Sequence, residues 1–197
     1  IMTAIFTDIQ KFSGFSELLT AGQLVALLNY YLTEMSDIIM DQRGTVDKYE
    51  GDAIIALVGA PVQMEDHAAR AVAAALKMKA AEKVMNEEII RIASAEKPLG
   101  MDDELYDALK IMVQNKKSIF TRIGLNSGEM IAGYMGSENK KNYTMMGNNV
   151  NLASRLEGVN KVYASSILCS GQTHEWAVQG ENKDKILFRR LDRVRVV

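Results

Sequence analysis

Short strand-like runs alternate with longer stretches of helical periodicity along this chain. That alternation confines it to a mixed α/β or α+β sheet carrying helices on one or both faces. Met2 to Ile9 is apolar enough to be a buried strand. From Ser16 to Met40, Leu18, Val25, Leu28, Leu32 and Met35 recur at helix-compatible spacing, and Gly22 marks an expected break between two helices. Gly44 ends that stretch, and Thr45 to Glu50 and Ala53 to Val58 are expected to form a hairpin around Gly51-Asp52. Pro61 begins a loop, and Asp66 is the expected cap of a long Ala-rich helix running from about His67 into the 80s.

Residues from about 94 to 118 carry no legible chemistry. Ser94 to Gly100 reads as a break and Asp102 to Val113 as a short helix, so a solvated insertion is expected. Strands follow over Ile119 to Gly128, Glu129 to Met135 and Tyr143 to Met146. Gly147 then opens a helix through Asn148 to about Glu157. Ser165 to Ser170 is a strand, Gln172 to Ala177 a short helix, and Ile186 to Val197 a final pair of short strands.

With 197 residues, 48% of them hydrophobic and 24% charged, the chain can bury a core as a single domain over residues 1–197. A formal net charge of -2 lacks the basic excess of a nucleic-acid-binding surface, yet leaves room for binding one nucleotide. Cys169 is the single cysteine, which excludes an internal disulfide and fits a reducing, cytoplasmic compartment. Its apolar surroundings, Ser166-Ile167-Leu168-Cys169-Ser170, make it a buried structural thiol. No apolar stretch is long enough to cross a bilayer, and no signal peptide is expected. Ile1 as first residue, and Val197 ending inside an apolar alternation, suggest a domain cut from a longer multidomain protein, which a membrane anchor or sensor could complete.

Two aspartates stand where strand-like runs meet turns: Asp8 in Phe6-Thr7-Asp8-Ile9, and Asp52 in Lys48-Tyr49-Glu50-Gly51-Asp52. Aspartate is common after strands for backbone reasons alone. Two carboxylates converging at strand ends are equally a seat for hard divalent cations, which prefer oxygen ligands and stay bound to phosphates. Gln10 to Phe15 leads from Asp8 into a helix, where free N–H groups can face a phosphate. Asn151 and Arg155 share one helix face at i and i+4, either as exposed polar groups or as paired donors for a phosphoryl group gaining charge. Lys48 and Thr144 are either solvated strand residues or readers of a purine edge. His67 and His174 lack a further His or Cys at ligand spacing, so zinc is not expected.

Taken in order, Phe6-Thr7-Asp8-Ile9-x-x-Phe12-Ser13, Lys48-x-x-Gly51-Asp52, Gly59-Ala60-Pro61, Glu65-Asp66-His67-Ala68, Ile123-Gly124-x-x-x-Gly128, Ala132-Gly133-x-x-Gly136-Ser137 and Asn151-x-x-x-Arg155 resemble the class III nucleotidyl cyclase catalytic domain. The resemblance runs from Ile5 to Val196. It implies a ferredoxin-like βαββαβ core extended by extra strands and helices, acting as a homodimer with active sites at the interface. Asp8 and Asp52, with the Ile9 carbonyl, would hold two divalent cations, Mg²⁺ or Mn²⁺. Phe12 and Ser13 would offer N–H groups to phosphates, Lys48 and Thr144 would select adenine, Asn151 would orient the ribose, and Arg155 would stabilise the α-phosphoryl group.

The metal aspartates would come from one subunit, and the purine-selecting and transition-state residues from the other. The implied activity is therefore an adenylyl cyclase making cyclic AMP and pyrophosphate from ATP. Lys48 disfavours a guanylyl cyclase, whose relatives carry glutamate at the matching place. A silent nucleotide-binding module of the same fold is the other alternative. A diguanylate cyclase would show Gly-Gly-Asp/Glu-Glu-Phe, which is absent. Thr144 replaces the more usual aspartate, as in a branch that includes bicarbonate-responsive members. Asn148 stands where many relatives carry aspartate, and a phosphate-binding lysine of relatives is expected past Val197.

Overall fold

The computed structural model describes residues 1–179 and 186–195. Its centre is β1 (Met2–Ile9), a strand with residues buried on both of its faces, as a strand covered on both sides requires. A one-turn helix, α1 (Ser13–Ser16), and the longer α2 (Ala21–Asp41) carry the chain to a hairpin of β2 (Thr45–Glu50) and β3 (Ala53–Val58). Helices α3 (His67–Ala93) and α4 (Asp103–Gln114) lead to β4 (Thr121–Gly128). The remainder is β5 (Ile131–Gly136), β6 (Lys141–Met146), α5 (Asn148–Tyr163), β7 (Ile167–Cys169) and α6 (Gly171–Ala177).

The main sheet has the order β2-β3-β1-β4-β7. β1 lies antiparallel between β3 and β4, and β2 antiparallel to β3. Hence β1 and β2 run parallel with β3 between them, and β3 and β4 run parallel with β1 between them. These are two interleaved βαβ units, the ferredoxin-like βαββαβ core that the family resemblance implies. β7 adds a parallel edge strand beside β4, and β5 and β6 pair as a separate ribbon.

Alternation along the strands divides the core. Ile5, Ile9, Ile54, Ala56, Val58, Ile123 and Leu125 pack against α2, α3, α4 and α6 on one face. Met2, Ala4, Ile55, Leu57 and Ala60 pack against Met145 of β6 and Val150 and Ala153 of α5 on the other. Asp8 keeps the parity of Met2 and Ala4, so it belongs to the α5 face. Gly124 lets α5 lie directly on β4: a Cβ there would come within 2.2 Å of the Glu157 nitrogen and 2.3 Å of the Ala153 oxygen.

Several expectations need correction. Gly22 is inside α2, and the break falls at Glu17 to Thr20. Thr20 accepts from the Gln23 N–H while the Gln23 side chain accepts from the Thr20 N–H, a reciprocal capping box that starts the helix there. Asp66 precedes α3 but makes no side-chain cap; its carboxylate pairs instead with Arg70, 2.8 Å away. α3 continues to Ala93, and α5 runs past Glu157 to Tyr163.

The segment around 94–118 is solvated only in part: Ser94 to Gly100 is exposed, but α4 has a buried face. Ala108, Leu109 and Met112 of α4 are buried against the main core. The expected strand pair at the C-terminus is absent over residues 186–195, and residues 196–197 lie outside the described residues. Cys169 is half-buried rather than buried, and desolvation pushes its thiol up to about 11. No helix among the described residues is long and apolar enough to cross a membrane.

Candidate active site

Register places Asp8. It stands opposite Arg122 at the end of the β1–β4 ladder, with Ile9 opposite Thr121. Asp52 arrives by a turn. Glu50 pairs with Ala53, leaving Gly51 and Asp52 as a two-residue hairpin loop. Gly51 adopts φ 64°, a left-handed conformation that glycine takes without a Cβ clash. The loop reaches the end of β1, where the Ile9 N–H donates to Asp52 Oδ2 at 2.8 Å. Burial raises the Asp52 carboxyl above its ordinary value; the Ile9 N–H opposes this, and the Asp8 charge adds to the rise.

Arg122 is the site residue that the sequence did not reveal. Its guanidinium is 4% exposed and forms an ion pair with Asp8 through Nη2. Nε lies 2.8 Å from Glu157 Oε1 on α5, close but not aligned as a hydrogen bond, and Nη1 is buried without a partner among the described residues. Burial also raises the Glu157 carboxyl, with Arg122 opposing the shift and Asp8 adding to it. Asp8 and Glu157 thus share one guanidinium, while Asp52, which feels the Asp8 charge, has the Ile9 N–H and, among the described residues, no ion pair of its own. The carboxylates of Asp8 and Asp52, close enough for one to raise the pKa of the other, are oxygen donors of the kind a hard divalent ion takes. Among the described residues no group of three or more His, Cys, Asp or Glu side chains is placed to hold a metal ion. Two carboxylates and a carbonyl make an open donor set, suited to a magnesium-like ion completed by phosphate and water.

The segment after β1 carries mixed groups. The Phe12 N–H donates to the Ile9 carbonyl at 3.3 Å. That contact occupies one of the two lone pairs of the carbonyl and commits the Phe12 donor. Among the described residues the Ser13 N–H, at the first position of α1, makes no main-chain hydrogen bond outside the helix. Of the two expected phosphate donors, Ser13 is the free one.

Lys48 and Thr144, 96 positions apart in the chain, meet at one carboxylate. Asp47 Oδ2 accepts from the Thr144 hydroxyl at 2.6 Å, and Asp47 Oδ1 lies 3.8 Å from Lys48 Nζ. Asn151 and Arg155 lie on the exposed side of α5, opposite buried Val150, Ala153 and Leu156. Asn148 opens the helix and is exposed. Among the described residues, neither Asn151 nor Arg155 hydrogen-bonds or ion-pairs with Asp8 or Asp52. The expected residues thus assemble into a carboxylate pair, a Lys–Thr pair and an exposed Asn–Arg pair.

Residues 1–196 match the family described as Adenylate and Guanylate cyclase catalytic domain. The chain is 33% identical over 190 residues to Adenylate cyclase 1 of Rhizobium meliloti, which covers 96% of the chain and 24% of that relative's length. The chain therefore spans about a quarter of that curated relative. Among solved structures it resembles the adenylyl cyclase CyaB from P. aeruginosa, with a TM-score of 0.70 and 33% identity over 89% of this chain and 79% of that one. It is also similar to the guanylyl cyclase Cya2, with a TM-score of 0.71 and 30% identity over 89% of this chain and 77% of that one.

Proposed function

The chain belongs to the adenylate and guanylate cyclase catalytic domain family, and from that premise we propose that it is the cyclase domain of an adenylyl cyclase. It converts ATP to 3′,5′-cyclic AMP and pyrophosphate in the cytoplasm, as a homodimer with shared sites and as one unit of a longer protein. The observation that carries this reading is the Ile9–Asp52 hydrogen bond, which holds the second aspartate at the end of β1 beside the first.

Asp8, Asp52 and the Ile9 carbonyl are the groups that would hold two divalent ions, Mg²⁺ or Mn²⁺. Bound there, such ions would lower the pKa of the ribose 3′-hydroxyl and offset charge on the pyrophosphate leaving group. The Ser13 N–H binds a phosphate oxygen. Lys48 donates to the purine ring and Thr144 contacts its 6-substituent. Asn151 orients the ribose, and the Arg155 guanidinium takes up charge developing on the α-phosphoryl oxygens. The 3′-oxygen forms a bond to the α-phosphorus as the bond to the bridging oxygen breaks, and the hydroxyl proton leaves to solvent.

The homodimer is supported by the surface. Asn151 and Arg155 face outward rather than pairing with the aspartates of their own chain. The β5–β6 ribbon exposes Ile131 at 70% and Tyr134 at 76%, which suits a covered interface better than open solvent.

The test is one incubation with ATP or GTP plus Mn²⁺, assayed for cyclic product, with Asp52→Ala as the control. Cyclic AMP from the wild type and none from the variant is expected. Cyclic GMP as the main product would move the assignment to a guanylyl cyclase, and no cyclic product from a verified dimer would move it to a silent regulatory module.

A further inference from the structure

Asp47 lies one residue before Lys48 and is 2% exposed, although it belongs to an edge strand whose neighbour Lys48 is 45% exposed. Its position comes from an irregularity in the ladder. Val46 pairs with Ala56 and Lys48 with Ile55, so Asp47 is an extra residue with no partner of its own on β3. A bulge of this kind re-aims the side chains of the strand. Lys48 takes the register of Ile55, which belongs to the cluster on the α5 face. Asp47 reaches β6 on the same side, where Oδ2 accepts from the Thr144 hydroxyl at 2.6 Å and from the Met145 N–H at 3.4 Å. Two successive residues therefore serve one face, which a regular strand does not allow.

The chemistry follows from counting protons. A threonine hydroxyl has one proton and two acceptor lone pairs, and a carboxylate only accepts. Once the Thr144 proton is given to Asp47, the hydroxyl has only a lone pair to offer a ligand. Lys48 beside it has only donors. The two together present a donor next to an acceptor. A 6-aminopurine edge matches that pattern, with an accepting N1 and a donating N6 amino group. A 6-oxopurine edge opposes it, with a donating N1–H and an accepting O6.

We propose that Asp47 is a positioning residue for base selection: it fixes the Thr144 hydroxyl as an acceptor next to the donors of Lys48, so that the pair takes 6-aminopurine nucleotides over 6-oxopurine ones. This rests on the reading that Lys48 and Thr144 face the purine. Replacing Asp47 by asparagine changes one group and reverses the logic. With its nitrogen toward Thr144 the amide donates to the hydroxyl oxygen, which frees the hydroxyl proton for an O6 acceptor at the expense of the longer 3.4 Å contact with the Met145 N–H. A purely structural Asp47, tying β6 to β2, would lower stability and weaken both nucleotides in proportion.

The experiment measures ATP and GTP Kd by competition against a fluorescent ATP analogue, and kcat/KM for each nucleotide, in wild type, Asp47→Asn, Thr144→Val and the double variant. The ATP/GTP preference is expected to fall about tenfold in Asp47→Asn, the size of one well-made hydrogen bond. In the Thr144→Val background the same change should move the preference less than about twofold, because the hydroxyl it acts through is gone. An unchanged ratio in Asp47→Asn, or an equal shift without the hydroxyl, overturns the inference. If Asp47→Asn does not fold, Asp47→Ser, whose hydroxyl can also donate to Thr144, takes its place with the same criteria. Binding without turnover in the wild type would sink the cyclase reading while the Kd ratios still decide the role of Asp47. Binding of neither nucleotide would sink both.

Discussion

The Ile9 N–H donates to Asp52 Oδ2 at 2.8 Å, so the turn between β2 and β3 is fastened to the end of β1 by the carboxylate itself. Asp52 has a second carboxylate lone pair and a second oxygen to offer, while the chain on either side of it is held by a hairpin and by the central strand. A carboxylate supported in this way is held in place by the protein's own backbone, as the proposed metal-binding role requires.

Arg122 balances that arrangement. Its buried guanidinium touches Asp8 and Glu157, and removing it leaves two carboxylates facing each other with no partner. Arg122→Met is expected to cost about 3 kcal/mol of stability, the scale for breaking a buried charge cluster on one side. Urea unfolding checks this, and a loss below about 1 kcal/mol would mean that water already screens the cluster.

Gly124 controls how closely α5, the carrier of Asn151 and Arg155, approaches the sheet. Gly124→Ala places a methyl against the backbone of Ala153 and Glu157, which cannot move as a side-chain tip can. A loss of about 3 kcal/mol is expected, at the high end for overpacking, with a drop in melting temperature on thermal scans. A melting temperature equal to wild type would show that α5 slides freely on β4.

His67 makes stability depend on pH. Its Nδ1 lies 2.7 Å from Thr3 Oγ1, its Nε2 is buried without a partner among the described residues, and burial lowers its pKa from the ordinary 6.5. Above 6.5 both folded and unfolded chains carry it neutral, so its contribution is complete there. As pH falls below that value the unfolded chain takes up the proton first, and stability is lost until the lowered folded pKa is passed. Urea unfolding at pH 7.5 and 5.5 should show a larger drop for wild type than for His67→Gln; equal drops would assign the pH effect to other groups.

Much of the fold was legible in the sequence, because it is written in local pattern. The bounds of β1, β2 and β3 follow from apolar runs and from the Gly51-Asp52 turn. Thr20-x-x-Gln23 was a readable capping box that should have outweighed Gly22 as the break. Leu105, Ala108, Leu109 and Met112 recur at helical spacing, a signal that α4 has a buried face and is not solvated. The partners of the site were not legible. Arg122 meets Glu157 only because β4 lies under α5, and Asp47 meets Thr144 only because β2 skips one residue against β3. Such contacts are set by register and packing, which one strand's own residues do not encode. The C-terminal alternation shows the converse: a strand pattern without a ladder partner over residues 186–195 stays irregular.

The divided site is tested most directly by complementation. Asp8→Ala and Arg155→Ala chains are purified separately, assayed for cyclic AMP with ATP and Mn²⁺, then mixed and assayed again. Each variant alone should be nearly inactive. The mixture should recover up to about a quarter of wild-type activity, since half of randomly paired dimers are mixed and each of those has one intact site of two. A mixture no more active than the two variants alone, with subunit exchange verified, would contradict a site built from two copies of this chain.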